Sequence, residues 1–324
     1  MTHEPVPRSG HGQPASAGEG LGVLSVSGAD AARFLQGQLT QDVARLTPGT
    51  VLPAGLQNAQ GRVVAVLWLA PGADGYTVLV PAGMAPAVRE RLQKYTLRAK
   101  VSLTDRSADV ALRCSIGADW VALCRRLGLP ATPGATHAAA AGREAFALPG
   151  GRSVVIAPAT DPDLGTGSDD PAWALATVRA GIADIGAAAS ESYTAHMLNL
   201  DRLGAVSFTK GCYTGQEIVA RTEHQGRVKR RLLRYEVTAA PRPVVPGAVQ
   251  PEAVAPGTAL YAGDDKVGEI VNVGRDAGTT ECLAVIALEA RGETLRTADG
   301  ETCLRPLALP YGLEDAAAGS GTER

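Results

Sequence analysis

The residues best suited to chemistry stand together at Lys210-Gly211-Cys212-Tyr213-Thr214-Gly215-Gln216-Glu217. Two glycines within five residues permit backbone conformations that a side chain forbids, so a ligand can come close to the main chain. Between them sit a thiol and a phenol, followed by an amide and a carboxylate. The apolar run from Leu203 to Phe208 leads in, and Ile218-Val219-Ala220-Arg221, which alternates too little for an exposed strand, leads out. A helix opening near Gly215 would aim free N–H groups and partial positive charge back at Cys212. With Lys210 nearby, that setting would favour the thiolate. The same residues also read as a turn around a buried structural cysteine.

Other chemistries find less support. The histidines His3, His11, His137, His196 and His224 form no ligand-spaced pair with one another, and the expectation is no metal. His224 follows Glu223 in a polar stretch and reads as solvated. The five cysteines are widely spaced, with no Cys-x-x-Cys pair, so neither a metal ribbon nor a disulfide framework is indicated. No Walker-type or dinucleotide glycine pattern occurs, which leaves nucleotide hydrolysis and hydride transfer unsupported. Arg227, Lys229, Arg230, Arg231 and Arg234 form a basic run broken by Leu232 and Leu233. It is either the charged edge of a strand or an anion site for RNA phosphates or an acidic ligand tail.

These residues need a scaffold, and the hydrophobic pattern supplies its outline. Leu21 to Val26 reads as a strand, and Asp30 as the cap of a helix burying Ala31, Phe34, Leu35 and Leu39. Gln36 and Gln38 flank Gly37 and, taken alone, read as solvent-facing. Val63 to Leu69 is a buried strand after the turn Asn58-Ala59-Gln60-Gly61, with Tyr76 to Val80 as its hairpin partner. A helix over Ala85 to Tyr95 and a strand at Val101 to Leu103 close this block. A smaller unit follows: a strand at Val110 to Ile116, a helix at Asp119 to Leu127, and strands at Phe146 to Leu148 and Val154 to Ala157. Asp169-Asp170-Pro171 starts a helix that carries Trp173, Thr177, Ala180 and Arg179 and stops at Gly181. Trp173 is either core or a stacking platform for an aromatic ligand. Beyond the Pro- and Gly-punctuated stretch Pro241 to Gly257, short apolar pieces at Ala259 to Tyr261, Val267 to Val273, Leu283 to Leu288 and Thr302 to Leu304 suggest a small β-barrel.

At 324 residues, 45% hydrophobic and 20% charged, the chain has room for two or three domains with a sizeable core. A net charge of −2 argues against a surface wholly devoted to nucleic acid. Residues 1–20 and 313–324 read as tails without the apolar segment of a signal peptide, and no run approaches the length of a membrane span. A reducing cytoplasm is the expected compartment.

Lys210-Gly211-Cys212-Tyr213-x-Gly215-Gln216-Glu217 resembles the signature of the YgfZ family, folate-binding proteins related to the T-protein aminomethyltransferases of glycine cleavage. Further markers are Gly28-Ala29-Asp30, Phe34 to Thr40, Ala59-Gln60-Gly61-Arg62, Lys94-Tyr95, Arg179 to Ile182 and Leu304 to Leu307, so the similarity runs from about Leu21 to Pro310. The resemblance implies an α+β fold: a discontinuous folate-binding body (21–105 and 171–240), an inserted ferredoxin-like unit (106–170) and a C-terminal β-barrel (241–312). It implies a reduced folate, tetrahydrofolate or a polyglutamylated derivative, bound near Trp173, Arg179, Lys210, Gly211, Tyr213, Gly215, Gln216 and Glu217, with Cys212 as the working residue. The implied role is iron–sulfur cluster assembly or repair, with iron–sulfur proteins as partners and tRNA-modifying enzymes affected in turn. Two departures stand out. Gly61 to Val66 lacks the acid that the aminomethyltransferases place there, and Leu21 stands where some members have a second tryptophan. A folate-dependent one-carbon transferase and a non-catalytic RNA-binding or adaptor module are the alternatives.

Overall fold

The computed structural model describes residues 21–130, 132–164, 172–239 and 254–313. A five-stranded antiparallel sheet forms the body, ordered β2-β3-β4-β1-β5 from β1 (Leu21–Ser27), β2 (Leu52–Gln57), β3 (Val63–Gly72), β4 (Gly75–Pro81) and β5 (Ser102–Asp105). The helices α1 (Ala31–Gln38) and α2 (Ala85–Gln93) cover one face with Phe34, Leu35, Val88 and Leu92. The apolar run of β3 is buried on both sides. Leu67 and Leu69 face those helices, Val63 and Val66 face the segment around Leu198 and Leu200, and Trp68 and Ala70 face the smaller unit. Double coverage explains why this strand lacks the alternation of a half-exposed one.

The smaller unit is a four-stranded sheet, β6-β9-β8-β7, made by β6 (Val110–Ile116), β7 (His137–Ala140), β8 (Arg143–Leu148) and β9 (Arg152–Pro158). Its helix α3 (Trp120–Arg126) is capped by Asp119, whose carboxylate accepts from the Ala122 N–H at 2.7 Å. Strand β7 falls in an Ala- and Gly-rich stretch whose composition carries no strand signal. The helix start expected at Asp169 to Pro171 lies outside the described residues. The helix itself, α4 (Trp173–Arg179), ends before Gly181, whose φ of +69° provides the left-handed stop.

After α5 (Gln216–Gln225) the chain enters β10 (Arg230–Ala239), then β11 (Ala259–Ala262), β12 (Asp265–Asp276), β13 (Thr279–Ala287), β14 (Leu295–Thr297) and β15 (Thr302–Leu307). These close a barrel in the order β10-β13-β12-β11-β14-β15. Strand β10 comes from the region expected in the body, and its pairing with both β13 and β15 makes closure possible. Helix α4 lies so close to β12 that a Cβ on Gly274 would come within 2.4 Å of the Leu175 Cα. Body, inserted unit and barrel therefore converge on α4.

Two local expectations change. Asp30 stands at the N-cap of α1 but makes no side-chain cap bond. Its carboxylate accepts instead from the Lys100 N–H at 2.8 Å and from Arg33, and that backbone bond holds its pKa below the usual carboxylate value. Gln36 and Gln38 do not simply face solvent. Gln36 Nε2 donates to Asp42 at 2.9 Å and its Oε1 accepts from the Val43 N–H, while Gln38 Oε1 accepts from the Thr214 hydroxyl at 3.4 Å.

Candidate functional site

The Cys212 motif is a turn clasped between the end of α1 and the start of α5. The Ser207 and Thr214 N–H groups donate to the carbonyls of Thr40 and Gly37. Lys210, buried to 9% exposure, sends its Nζ to the carbonyls of Leu39 at 2.8 Å and Gln41 at 2.7 Å. Its ammonium also lies 5.0 Å from the Tyr213 ring. Burial pulls its pKa down to about 8, opposed by the charge of Asp42. The expectation that Lys210 stands ready to stabilise a thiolate gives way to a different geometry, in which its cation is turned inward to fix the turn.

Helix α5 does open directly after Gly215, with Glu217 in its first turn. Gly215 has a φ of +80°, and a Cβ there would meet the Asn58 carbonyl at 2.6 Å and the Gly61 Cα at 3.0 Å. Gly61 in turn admits Ile218. The close approach that Gly215 permits is thus occupied by the β2–β3 turn, which locks the start of α5. Gly211 faces open space. Gln216 Oε1 accepts from the Tyr213 N–H at 3.3 Å, Tyr213 is buried, and burial pushes its phenol up to about 12. Cys212 is exposed, whereas Cys114, Cys124, Cys282 and Cys303 are buried. Burial raises the Cys124 thiol and takes Cys282 to about 12, which leaves both unreactive near neutral pH.

A cavity of about 290 Å³ opens beside Trp173, between α4, the end of β4 and barrel strand β12. Thr177, Asp184, Asn272 and Arg275 supply its polar groups, and Pro81, Val254 and Val273 its apolar ones. Behind this wall, the guanidinium of Arg152 lies 5.1 Å from the Trp173 ring and 6.0 Å from that of Trp68. Arg152 donates to the Pro149 carbonyl and to Thr177, and desolvation lowers its pKa to about 10. Burial raises the Asp184 carboxyl, with the Arg152 charge opposing. Across Trp68 lies a second, apolar cavity of about 360 Å³, lined by Val66, Leu148, Ile182, Leu200 and Leu203.

No protein-family model matches the chain. Over 238 residues, which cover 69% of this chain and 70% of the relative, it is 32% identical to the tRNA-modifying protein YgfZ of Vibrio vulnificus (strain CMCP6). The chain belongs to the YgfZ family. The YgfZ protein of Klebsiella pneumoniae (strain 342) is 29% identical over 313 residues, 91% of each chain. An uncharacterized protein of Haemophilus influenzae is 26% identical over 307 residues, 90% of this chain and 96% of that one. Among solved structures, the glycine cleavage aminomethyltransferase T of Bartonella henselae superposes with a TM-score of 0.67 at 17% identity, covering 90% of this chain and 83% of that one. The fold is therefore that of the T-protein, as the motifs implied.

Within this YgfZ-family fold, the residues singled out from sequence fall into two groups. Lys210 to Glu217 form one turn against α1, while Trp173 and Arg179 sit on α4. Arg179 is held by Glu281 of β13 at 2.9 Å, a carboxylate that also accepts from Arg234 at 2.7 Å. Those two bonds hold the Glu281 pKa down against the effect of its burial. The basic run divides as well. Arg231 is buried and meets both oxygens of Asp201 at 2.9 Å, whereas Arg227, Lys229 and Arg230 are exposed.

Sequence reasoning missed Trp68, Arg152, Asp184 and the buried His196. Asp184 did leave a signal, as a lone acid inside the apolar stretch Ile182 to Ile185. His196 reaches Glu223 at 3.2 Å, and with Asp201 the three bring ligand-type atoms within 4.8 Å of one another. Asp201 is already engaged by Arg231 through both oxygens, and Arg231 also donates to the His196 carbonyl, so this group is a hydrogen-bonded network bracing α5 against the body. No helix among the described residues is long and apolar enough to cross a membrane.

Proposed function

We propose that this chain binds a reduced folate in the cavity beside Trp173, works in the cytoplasm, and supports the assembly or repair of iron–sulfur clusters. Enzymes that modify tRNA with such clusters are the downstream beneficiaries, in keeping with the name of the relatives, tRNA-modifying protein YgfZ. Cys212 is the working residue of this reading. The observation that carries it is the contrast in exposure: Cys212 stands at the surface beside the start of α5, while the other four thiols are packed in cores.

The cavity suits a flat heterocycle. It offers an aromatic wall at Trp173, a carboxylate at Asp184 and an exposed guanidinium at Arg275, which stands within reach of an anionic tail. At about 290 Å³ it lies at the lower limit of the roughly 300–1,000 Å³ of small-molecule sites, enough for a ring system with the rest of the ligand outside. A bound reduced folate would bring ring nitrogens able to carry one-carbon units. The chain's own contribution is to bind and orient it. Strand β3 is apolar from Val63 to Ala70, so the general base that an aminomethyl transfer requires is missing from the strand that carries it in the T-protein relatives.

The deciding experiment restores a deletion strain with wild-type or Cys212→Ser protein and measures an iron–sulfur enzyme that modifies tRNA. Wild type should restore activity and the serine variant should not, at equal protein level and with melting unchanged. Restoration by the serine variant would reject Cys212 as the working residue, and failure of wild type would reject the cluster role.

A further inference from the structure

A polar cleft of about 480 Å³ opens between two hairpins, the β3–β4 turn of the body and the β7–β8 turn of the inserted unit, and shares no lining residue with the Trp173 cavity. Strand β1 changes character there. Val23 packs into the core shared with the inserted unit, but Ser25 and Ser27, on the same face by the two-residue period of a strand, line the cleft. Neither hydroxyl has a hydrogen-bond partner among the described residues. Opposite them stands Glu144 of β8, whose carboxylate accepts from the Thr77 hydroxyl at 3.0 Å and meets His137 Nε2 at 3.4 Å. Arg106, directly after β5, reaches Glu144 only at 3.8 Å, beyond hydrogen-bond distance, and its side chain makes no closer polar contact among the described residues. The second arginine of the cleft is spent: Arg143 gives Nε and Nη2 to Asp161, Nη2 also to Asp163, and Nη1 to the Leu127 carbonyl. The cleft therefore presents one guanidinium with free donors beside one carboxylate with lone pairs to spare.

We propose that this cleft binds a free α-amino acid, with its carboxylate on Arg106 and its ammonium on Glu144. Two opposite charges 3.8 Å apart match a ligand that carries both charges on one carbon, in the reverse order. A plain anion would gain Arg106 and be repelled by Glu144, and a plain cation would meet the opposite conflict. A neutral polyol would satisfy neither charge. The guanidinium suits a carboxylate because its fork of N–H groups can bind both oxygens, and the Ser25 and Ser27 hydroxyls add further donors. Asp74, exposed on the β3–β4 turn, brings more negative charge to the lining and disfavours a second carboxylate on the ligand. Elsewhere the wall is built from small residues such as Ala140 and Gly142, which leaves the volume to the ligand's own side chain. That volume falls within the roughly 300–1,000 Å³ of small-molecule sites. The inference is independent of the folate reading, and a negative result here leaves that reading untouched.

The test titrates the full chain with each proteinogenic L-amino acid by ligand-observed NMR, then compares the best binder with its N-acetyl and carboxamide derivatives. Wild type should lose at least about tenfold in affinity on either change, as expected when a hydrogen bond to a charged group is removed. Arg106→Gln should weaken the amino acid by a similar factor and erase its advantage over the carboxamide. Glu144→Gln should erase its advantage over the N-acetyl derivative. The derivative comparison runs on wild type, so a variant that fails to fold leaves the proposal open to refutation. Saturable binding of none of the amino acids would overturn it. So would binding that neither derivative weakens, or that both variants retain, because Arg106 and Glu144 would then be a plain tie between two sheets.

Discussion

Replacing Lys210 by Met keeps the length of the side chain and removes its charge and its donors. Two opposing costs can be read from the structure. The carbonyls of Leu39 and Gln41 would lose their partner, at about 1–3 kcal/mol for each buried acceptor left unsatisfied. Against this, burial lowers the lysine from 10.5 to about 8, a span worth at most about 3 kcal/mol of cost while the group is charged. At pH 7 the two nearly cancel, and the variant should lie within about 2 kcal/mol of wild type. The pH dependence is the sharper signature. Below pH 8 folded and unfolded chains both hold the proton, so the burial cost is fully present. Between about 8 and 10.5 the unfolded chain holds more protons than the folded one, so wild-type stability rises relative to the variant. The neutral amine keeps two N–H groups for its two carbonyls, so the clamp survives deprotonation. Urea denaturation of both proteins at pH 7 and pH 9.5 measures the difference, and a wild-type stability that does not rise relative to the variant's at the higher pH would refute the buried, depressed lysine.

Trp173→Ala should weaken reduced-folate binding about three- to tenfold in calorimetry, since aromatic stacking contributes roughly 0.5–1.5 kcal/mol beyond area burial; unchanged affinity would put the ligand elsewhere. Asp201→Asn leaves Arg231 buried with an incomplete partner and should cost about 3–5 kcal/mol in urea denaturation, whereas a loss under 1 kcal/mol would mean that solvent reaches the pair. Reversing the exposed charges of Lys229 and Arg230 should weaken a polyglutamylated folate more than the monoglutamate, with the gap shrinking as salt rises; equal losses would leave these residues as a strand edge alone.

The local elements were legible because each is written in a short window. The apolar run Val63 to Leu69, the helix carrying Phe34 and Leu35, the stop at Gly181 and the helix start after Gly215 all follow from spacing and from backbone preference. The exposure of Cys212 was not decided there. A thiol between two glycines fits a surface turn and a buried one equally well, and only the docking of that turn on α1 selected the first. Partnership likewise escaped the sequence. Lys210 meets carbonyls 171 and 169 residues away, Arg179 meets Glu281 across 102, and the Asp184–Asn272 clasp spans 88. Charge type is visible in a sequence, but whether a charge lies in water, on a partner or alone on a cavity wall depends on which distant segment packs against it. That is why the five basic residues from Arg227 to Arg234 look alike as letters and divide, once β10 enters the barrel, into three exposed cations, the buried Arg231 paired with Asp201 and the half-buried Arg234 paired with Glu281.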